Sequence, residues 1–237
     1  MTSRIELQPA YVIHTQPFQN SSLLVDIFTL DFGRIKAVAK GARKPGSKSR
    51  SRLQPFQPLL VSLLGRNELK TLIGAEISTP LPLLTGMKLF SGLYINELLV
   101  RMLQFNESHQ ALYQAYQQAL LQFHGDWSLQ TILRRFELQL LEELGYGIDL
   151  YHDCLSQAEI IAEAQYLFHP ESGLEQLPSG LKQHPLEIYR GHEIIALREL
   201  RLDDKGASLA AKRLLRAALE PHLGNKPLSS RRLFRES

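Results

Sequence analysis

The stretch "RIKAVAK" (34–40) sets Ile35, Ala37 and Ala39 against Arg34, Lys36, Val38 and Lys40 in strict alternation. One face is apolar and the other carries three cations, the pattern of a strand with one side buried. The runs "AYVIH" (10–14), "SLLVDIFTL" (22–30), "FQPLLVSLL" (56–64) and "LKTLIGAEI" (69–77) are also rich in strand formers. Turn chemistry separates them: "DFGR" (31–34), where Gly33 can take a positive φ, and "GRNE" (65–68). Pro55 and Pro58 put the start of the fourth run at an edge or a bend. Five short strands in the first eighty residues predict a small closed β unit. The five-stranded oligonucleotide-binding (OB-fold) barrel is the leading candidate, although the pattern also fits other five-stranded barrels.

After "STPLPLL" (78–84) the period becomes helical. Helices are expected over 86–103, 109–123 and 127–147, the last capped by Asp126 and ended by Gly145. Leu129, Ile132, Leu133, Phe136, Leu140 and Leu144 form its core stripe. Residues 148–190 are irregular, with strand-like pieces such as "QYLFH" (165–169), and a helix over 206–223 follows, with Leu209, Leu214, Leu215 and Leu219 apolar. The chain therefore reads as an α+β multidomain protein. An N-terminal barrel domain (1–80) precedes an α-helical C-terminal domain (81–237) with a small irregular insertion and a basic final helix and tail.

A net charge of +3 conceals a strong segregation. Residues 1–80 hold 11 Lys or Arg against 5 Asp or Glu, residues 81–197 hold 6 against 14, and residues 198–237 hold 10 against 5. Different faces are thus expected to meet different partners. The densest run, "RIKAVAKGARKPGSKSRSR" (34–52), carries Arg34, Lys36, Lys40, Arg43, Lys44, Lys48, Arg50 and Arg52 and no acid. A solvated loop is the plain reading; the barrel context favours a grip on phosphates, indifferent to sequence. Phe18, Phe28, Phe32 and Phe56 could offer stacking surfaces. None interleaves the basic run, so backbone contact is expected to dominate. Lys212, Arg213 and Arg216, with Arg231 and Arg232 of the tail, make a second basic set.

Catalytic signatures do not occur: there is no Walker loop, GxGxxG, nucleophile elbow or HExxH. Glu137, Glu142 and Glu143 read as a solvated helix edge. Asp149, His152, Asp153 and Cys154 crowd together, but one Cys and a nearby His do not supply the four ligands of a structural zinc site. No metal, no cofactor and no enzymatic activity are expected. A metal-dependent nuclease is the weakest class, and a sequence-independent RNA-binding module on the same barrel is the main competitor. No apolar run approaches the roughly 18 residues of a membrane-spanning helix. The segment "MTSRIELQPAYVIH" lacks the features of a secretory signal, and Cys154 is the only cysteine. A cytoplasmic protein is expected.

Four stretches, "VAKGAR" (38–43), "SGLYINELL" (91–99), "RRFELQLLEELGYG" (134–147) and "GNKPLSSRRLF" (224–234), resemble the RecO family of bacterial DNA repair proteins, in order and nearly end to end. The resemblance implies an OB-fold barrel followed by a helical domain, and binding of single- and double-stranded DNA. It also implies annealing of complementary strands, cooperation with RecR in loading RecA, and binding of the acidic tail of single-strand DNA-binding protein. Nucleoid association would accompany DNA binding. Many members hold zinc through a cysteine cluster, from which this sequence departs. The family's DNA contacts fall on Arg34, Lys36, Lys40 and Arg43, with Lys44 and the later loop cations following. The tail contact falls on Arg134, where Leu138 and Leu141 share a stripe turned away from the core.

Overall fold

The computed structural model describes residues 4–47, 51–178 and 188–234. They form two compact units, Met1–Gly125 with Asn225–Ser237, and Asp126–Gly224. The barrel strands end at Ile77, and the first two helices lie in the same unit as the barrel.

The barrel has β1 (Arg4–Phe18), β2 (Ser22–Thr29), β3 (Gly33–Ala39), β4 (Leu59–Leu64) and β5 (Leu69–Ile77). It closes in the order β1-β2-β3-β5-β4, with β1 also pairing β4 and β3 running parallel to β5. That is the OB-fold order. Val12, Val25, Ile27, Ile35, Ala37 and Val61 fill the interior, each 0 or 1% exposed, as the alternation requires. The strand expected from 56 begins only at Leu59, because Pro58 has no amide hydrogen to give to the ladder.

The outer wall of β1 and β2 is aromatic. Tyr11 and Phe28 face each other across that ladder and pack on Tyr113 and Tyr116 at ring separations of 5.1–6.1 Å. Those tyrosines belong to α2 (Gln110–Phe123), which follows α1 (Gly86–Met102). The Tyr116 hydroxyl donates to Asn96 Oδ1 of α1 at 2.8 Å, so the fully buried phenol is not an orphan. Burial pushes the Tyr113 and Tyr116 phenols up, and they stay neutral.

Residues from the far end of the sequence complete this unit. Glu97 of α1 accepts hydrogen bonds from Ser229 N, Ser230 N and Ser230 Oγ at 2.6–2.8 Å. It thereby caps the short α6 (Ser230–Leu233) from outside. Burial alone would raise the Glu97 carboxyl. The Ser230 and Ser229 donors and the Arg101 charge outweigh it and hold the group below its usual range.

In the second unit, α3 (Leu129–Glu143) and α4 (Gly191–Arg198) each pack on α5 (Lys205–Leu219). The region expected to be irregular holds a three-stranded antiparallel sheet of β6 (Gln165–His169), β7 (Gly173–Gln176) and β8 (Ile188–Arg190), in the order β7-β6-β8. One helix cap differs from expectation, and one not foreseen appears. Ser128 rather than Asp126 occupies the N-cap of α3, and Asp204 caps α5 by accepting from Ala207 N at 2.8 Å. Gly145 does end α3. At φ +78 it donates to Glu142 O while Tyr146 N donates to Leu141 O, a Schellman ending. On α5, Leu209 points to solvent and Ala207, Ala210 and Ala211 are buried instead, so small residues set the close approach of its neighbours.

Candidate nucleic-acid interface

The basic run divides once it is folded. Lys40, Arg43, Lys44 and Arg52 are exposed and Lys36 is half-buried. Lys48 and Arg50 lie outside the described residues. Arg34 is the exception, and it corrects the expectation of a cation facing solvent: only 8% of it is exposed. Its guanidinium pairs with Asp26 Oδ2 of β2 at 2.5 Å and donates to Val100 O and Leu103 O at 2.5 and 3.1 Å. Those carbonyls end α1, where the helix leaves acceptors unsatisfied and favours a positive charge. The alternation places Arg34 correctly on the outer face of β3; a helix terminus covers that part of the face.

The loop beyond β3 is a series of tight turns. Ala42 N donates to Ala39 O, Lys44 N to Gly41 O and Ser47 N to Lys44 O, with Gly41 and Gly46 at positive φ. Arg43 N donates to Ser21 O at 2.8 Å and its guanidinium reaches Gln19 O at 3.4 Å. The β1–β2 turn and the β3 loop therefore converge, and Lys40, Arg43 and Lys44 come to one end of the barrel. Arg43 also lines a cavity of about 550 Å³ with Thr15, Gln16, Leu23 and Leu53. Arg52 hangs over β5, donating to Ala75 O at 3.4 Å.

Beside Lys36 sits a residue that local pattern could not have placed. Phe105, in the segment after α1, lies 4.8 Å from Lys36 Nζ and 4.1 Å from the Arg34 guanidinium carbon, measured to its ring centre. Of the aromatic residues marked in the sequence, Phe28 and Phe56 are buried and Phe18 is partly so; Phe32 stays exposed on the β2–β3 turn.

Arg134, Leu138 and Leu141 are on α3 as expected, but not as an open stripe. Arg134 is 4% exposed and its guanidinium pairs at 2.7 Å with Glu137, itself 1% exposed. Glu137 is therefore no part of a solvated edge. Leu141 is buried and Leu138 half-buried. Arg134 Nε has no hydrogen-bond partner among the described residues. The neighbouring Arg135 lies over the exposed Trp127 ring at 5.5 Å.

The second basic set is split. Lys212 and Arg216 are exposed on α5, whereas Arg213 donates to Ile188 O at 3.2 Å and packs on the Tyr189 ring. Arg231 and Arg232 belong to the first unit, since Glu97 draws α6 onto α1.

Asp149, His152, Asp153 and Cys154 line a cavity of about 1000 Å³ in the second unit. Their acids face backbone rather than a shared centre. Asp149 accepts from Tyr151 N, His152 N and the His152 ring. Asp153 accepts from Leu155 N, Ser156 N, Ser156 Oγ and Gln176 N. Among the described residues no group of three or more His, Cys, Asp or Glu side chains could hold a metal ion. These residues do not fit a zinc ion.

Comparison with known proteins agrees along nearly the whole chain. The models for "Recombination protein O N terminal" and "Recombination protein O C terminal" match residues 1–81 and 84–232. The chain belongs to the recombination protein O (RecO) family. It is 44% identical to the DNA repair protein RecO of Pectobacterium atrosepticum, over 97% of this chain and 92% of that protein. For the DNA repair protein RecO of Nitrosococcus oceani the figures are 43%, 98% and 94%, and for that of Aliivibrio fischeri 40%, 96% and 94%. This is a family of DNA repair and recombination, and the closed barrel followed by helices agrees with its two-part description. No helix among the described residues is long and apolar enough to cross a membrane.

Proposed function

We propose that the chain is a recombination mediator that binds single- and double-stranded DNA and anneals complementary strands. With RecR, it helps load RecA on DNA coated by single-strand DNA-binding protein. What supports this reading is that Lys36 on β3 and Lys40, Arg43 and Lys44 in the loop after it are exposed or half-buried on an OB-order barrel, with Arg43 bonded to the β1–β2 turn. Phosphates bind such a surface by releasing counterions, with no demand on base sequence. Arg34 is left out of the contact set because its charge is already engaged. Lys212 and Arg216 offer a further exposed pair for a second strand.

The acidic tail of single-strand DNA-binding protein is received on α3 at Arg134, with Leu138 beside it. A guanidinium can hold a carboxylate through two parallel hydrogen bonds. Because Arg134 is already paired, the tail carboxylate has to replace that of Glu137.

The test is annealing of complementary strands, bare and coated with single-strand DNA-binding protein, by the wild type and by a Lys36, Lys40, Arg43, Lys44→Ala variant. Wild type is expected to anneal both and the variant neither. Full activity of the folded variant, or preference for RNA over DNA of equal length in competition, would overturn the reading.

A further inference from the structure

We infer that Phe105 is a stacking platform for one unpaired nucleobase, set beside the phosphate-binding cations of β3. The inference rests on the DNA-binding reading above and adds a contact that reads bases rather than phosphates.

The ring is held where a platform needs to be. Phe105 forms a parallel bridge with Arg34, and Asn106 N donates to Arg34 O at 2.8 Å, so the segment after α1 lies along the backbone of β3. Gly33 makes that approach possible: a Cβ there would sit 1.6 Å from Glu107 O. Gln110 Nε2 donates to Asp31 Oδ1 at 3.0 Å and ties the start of α2 to the same turn. The segment is thus fixed at several points before any ligand arrives, which lowers the ordering cost of binding.

The surroundings suit a base on a phosphate chain better than an apolar protein surface. Arg34 and Lys36 leave β3 on the same face and both approach the ring, so cations hold it from the barrel side. Yet 37% of the residue remains open to solvent. A large aromatic side chain left open above a buried ion pair is not needed to fill the core. Lys36 on β3 and Lys40 in the turn just past Ala39 stand on either side of Val38, giving phosphates a path that starts at the ring. Asp31 and Glu107 lie toward the β2–β3 turn and repel phosphates from the opposite direction. An unpaired base can therefore rest on Phe105 while its chain runs toward Lys40. Duplex DNA keeps its bases stacked internally and does not use the platform.

The experiment compares binding of a thymidine oligonucleotide with an abasic oligonucleotide of equal length, which has the same phosphates and no bases. The full chain is expected to prefer the thymidine strand by roughly 5- to 150-fold, the range of one stacked base. Phe105→Ala should reduce that preference toward unity while keeping the salt slope of binding. Phe105→Trp, made with Trp127→Phe so that the new indole is the only one, should keep the preference and lose fluorescence with thymidine strands but not with abasic ones. A folded Phe105→Ala chain that retains the preference overturns the inference, as does an indole at 105 whose emission ignores bound thymidines. If the wild type binds the two strands equally, only the platform falls. If it binds neither, the DNA-binding reading falls with it.

Discussion

The Arg34 guanidinium and the Asp26 carboxylate meet at 2.5 Å across the β2–β3 ladder, with less than a tenth of either residue open to solvent. The same arginine closes the carbonyl end of α1. It is therefore a joint between barrel and helix. Arg34→Ala would leave a buried carboxylate and two carbonyls without their donor, and breaking a buried pair from one side costs about 3–5 kcal/mol. Chemical denaturation of the variant should show a loss of that size, and a loss below about 1 kcal/mol would contradict the role given to Arg34.

Lys36, Lys40, Arg43 and Lys44 should behave in the opposite way. Surface substitutions away from cores and caps change stability by about 0.5 kcal/mol or less. If each contacts one phosphate of a single strand, about 0.7 in salt slope is lost per residue, so the quadruple Ala variant flattens the slope by up to about 2.8. Titrations at several salt concentrations measure it. An unchanged slope in the folded variant would place the grip elsewhere.

Glu137 competes for Arg134 in the proposed tail site. Glu137→Gln removes the competing charge while keeping the shape, so a peptide with the acidic tail sequence should bind the variant more tightly than the wild type. Arg134→Glu is a poorer probe, because two buried carboxylates would face each other and the second unit would lose stability. Calorimetric titration of Glu137→Gln decides the matter: weaker or equal tail binding argues against Arg134 as the receiving group.

Gly33 is required twice over, by its φ of +62 and by its contact with Glu107 O. Gly33→Ala should destabilise the first unit by about 1–3 kcal/mol from backbone strain alone. It should also displace the segment that carries Phe105. Hydrogen exchange at Asn106 N, which donates to Arg34 O, should then accelerate; protection at the wild-type level would show that the segment is held by other contacts.

Asp153 gives the second unit a dependence on acid. Burial would raise its carboxyl, but donors from Ser156, Gln176 and Leu155 more than offset this and lower it. A carboxyl with a lowered folded value stabilises the fold above its unfolded value of about 3.9, and that contribution is lost as pH falls through the folded value. The link from the 149–157 turn to β7 should therefore loosen below about pH 4. Asp153→Asn should show a smaller drop in melting temperature between pH 6 and pH 3 than the wild type; an equal drop would assign the acid sensitivity to other groups.

What the sequence disclosed follows the range of the forces involved. Strand alternation, the Gly33 turn and the ending of α3 at Gly145 depend on residues within a few positions of each other, and all were legible. The role of Arg34 was not, because its partners Val100 and Leu103 lie 66 and 69 residues on. Phe105 is hidden from local pattern for the same reason, since it meets Arg34 and Lys36 only in the fold. Arg134 carried a different ambiguity. Helical geometry could show which stripe it occupies, but not that Glu137, one turn along, would be buried with it. The division of the second basic set was hidden as well, since only the fold brings Ser230 to Glu97, 133 residues away.

That last distance has a bearing on how the chain is made. The barrel strands are complete by Ile77, and α1 leaves the ribosome soon after, but the residues that satisfy Glu97 come 132 and 133 positions later. At roughly 5–20 residues per second, the first unit waits roughly 7–27 s for its final piece while the whole of the second is synthesised. During that interval Glu97 faces water instead of Ser229 and Ser230, and the side of α1 that will hold Phe234 through Phe90 and Tyr94 is bare. The unit that carries the barrel cations is thus begun before the second and finished after it, and translation that stops at Gly224 would release it with that side of α1 uncovered.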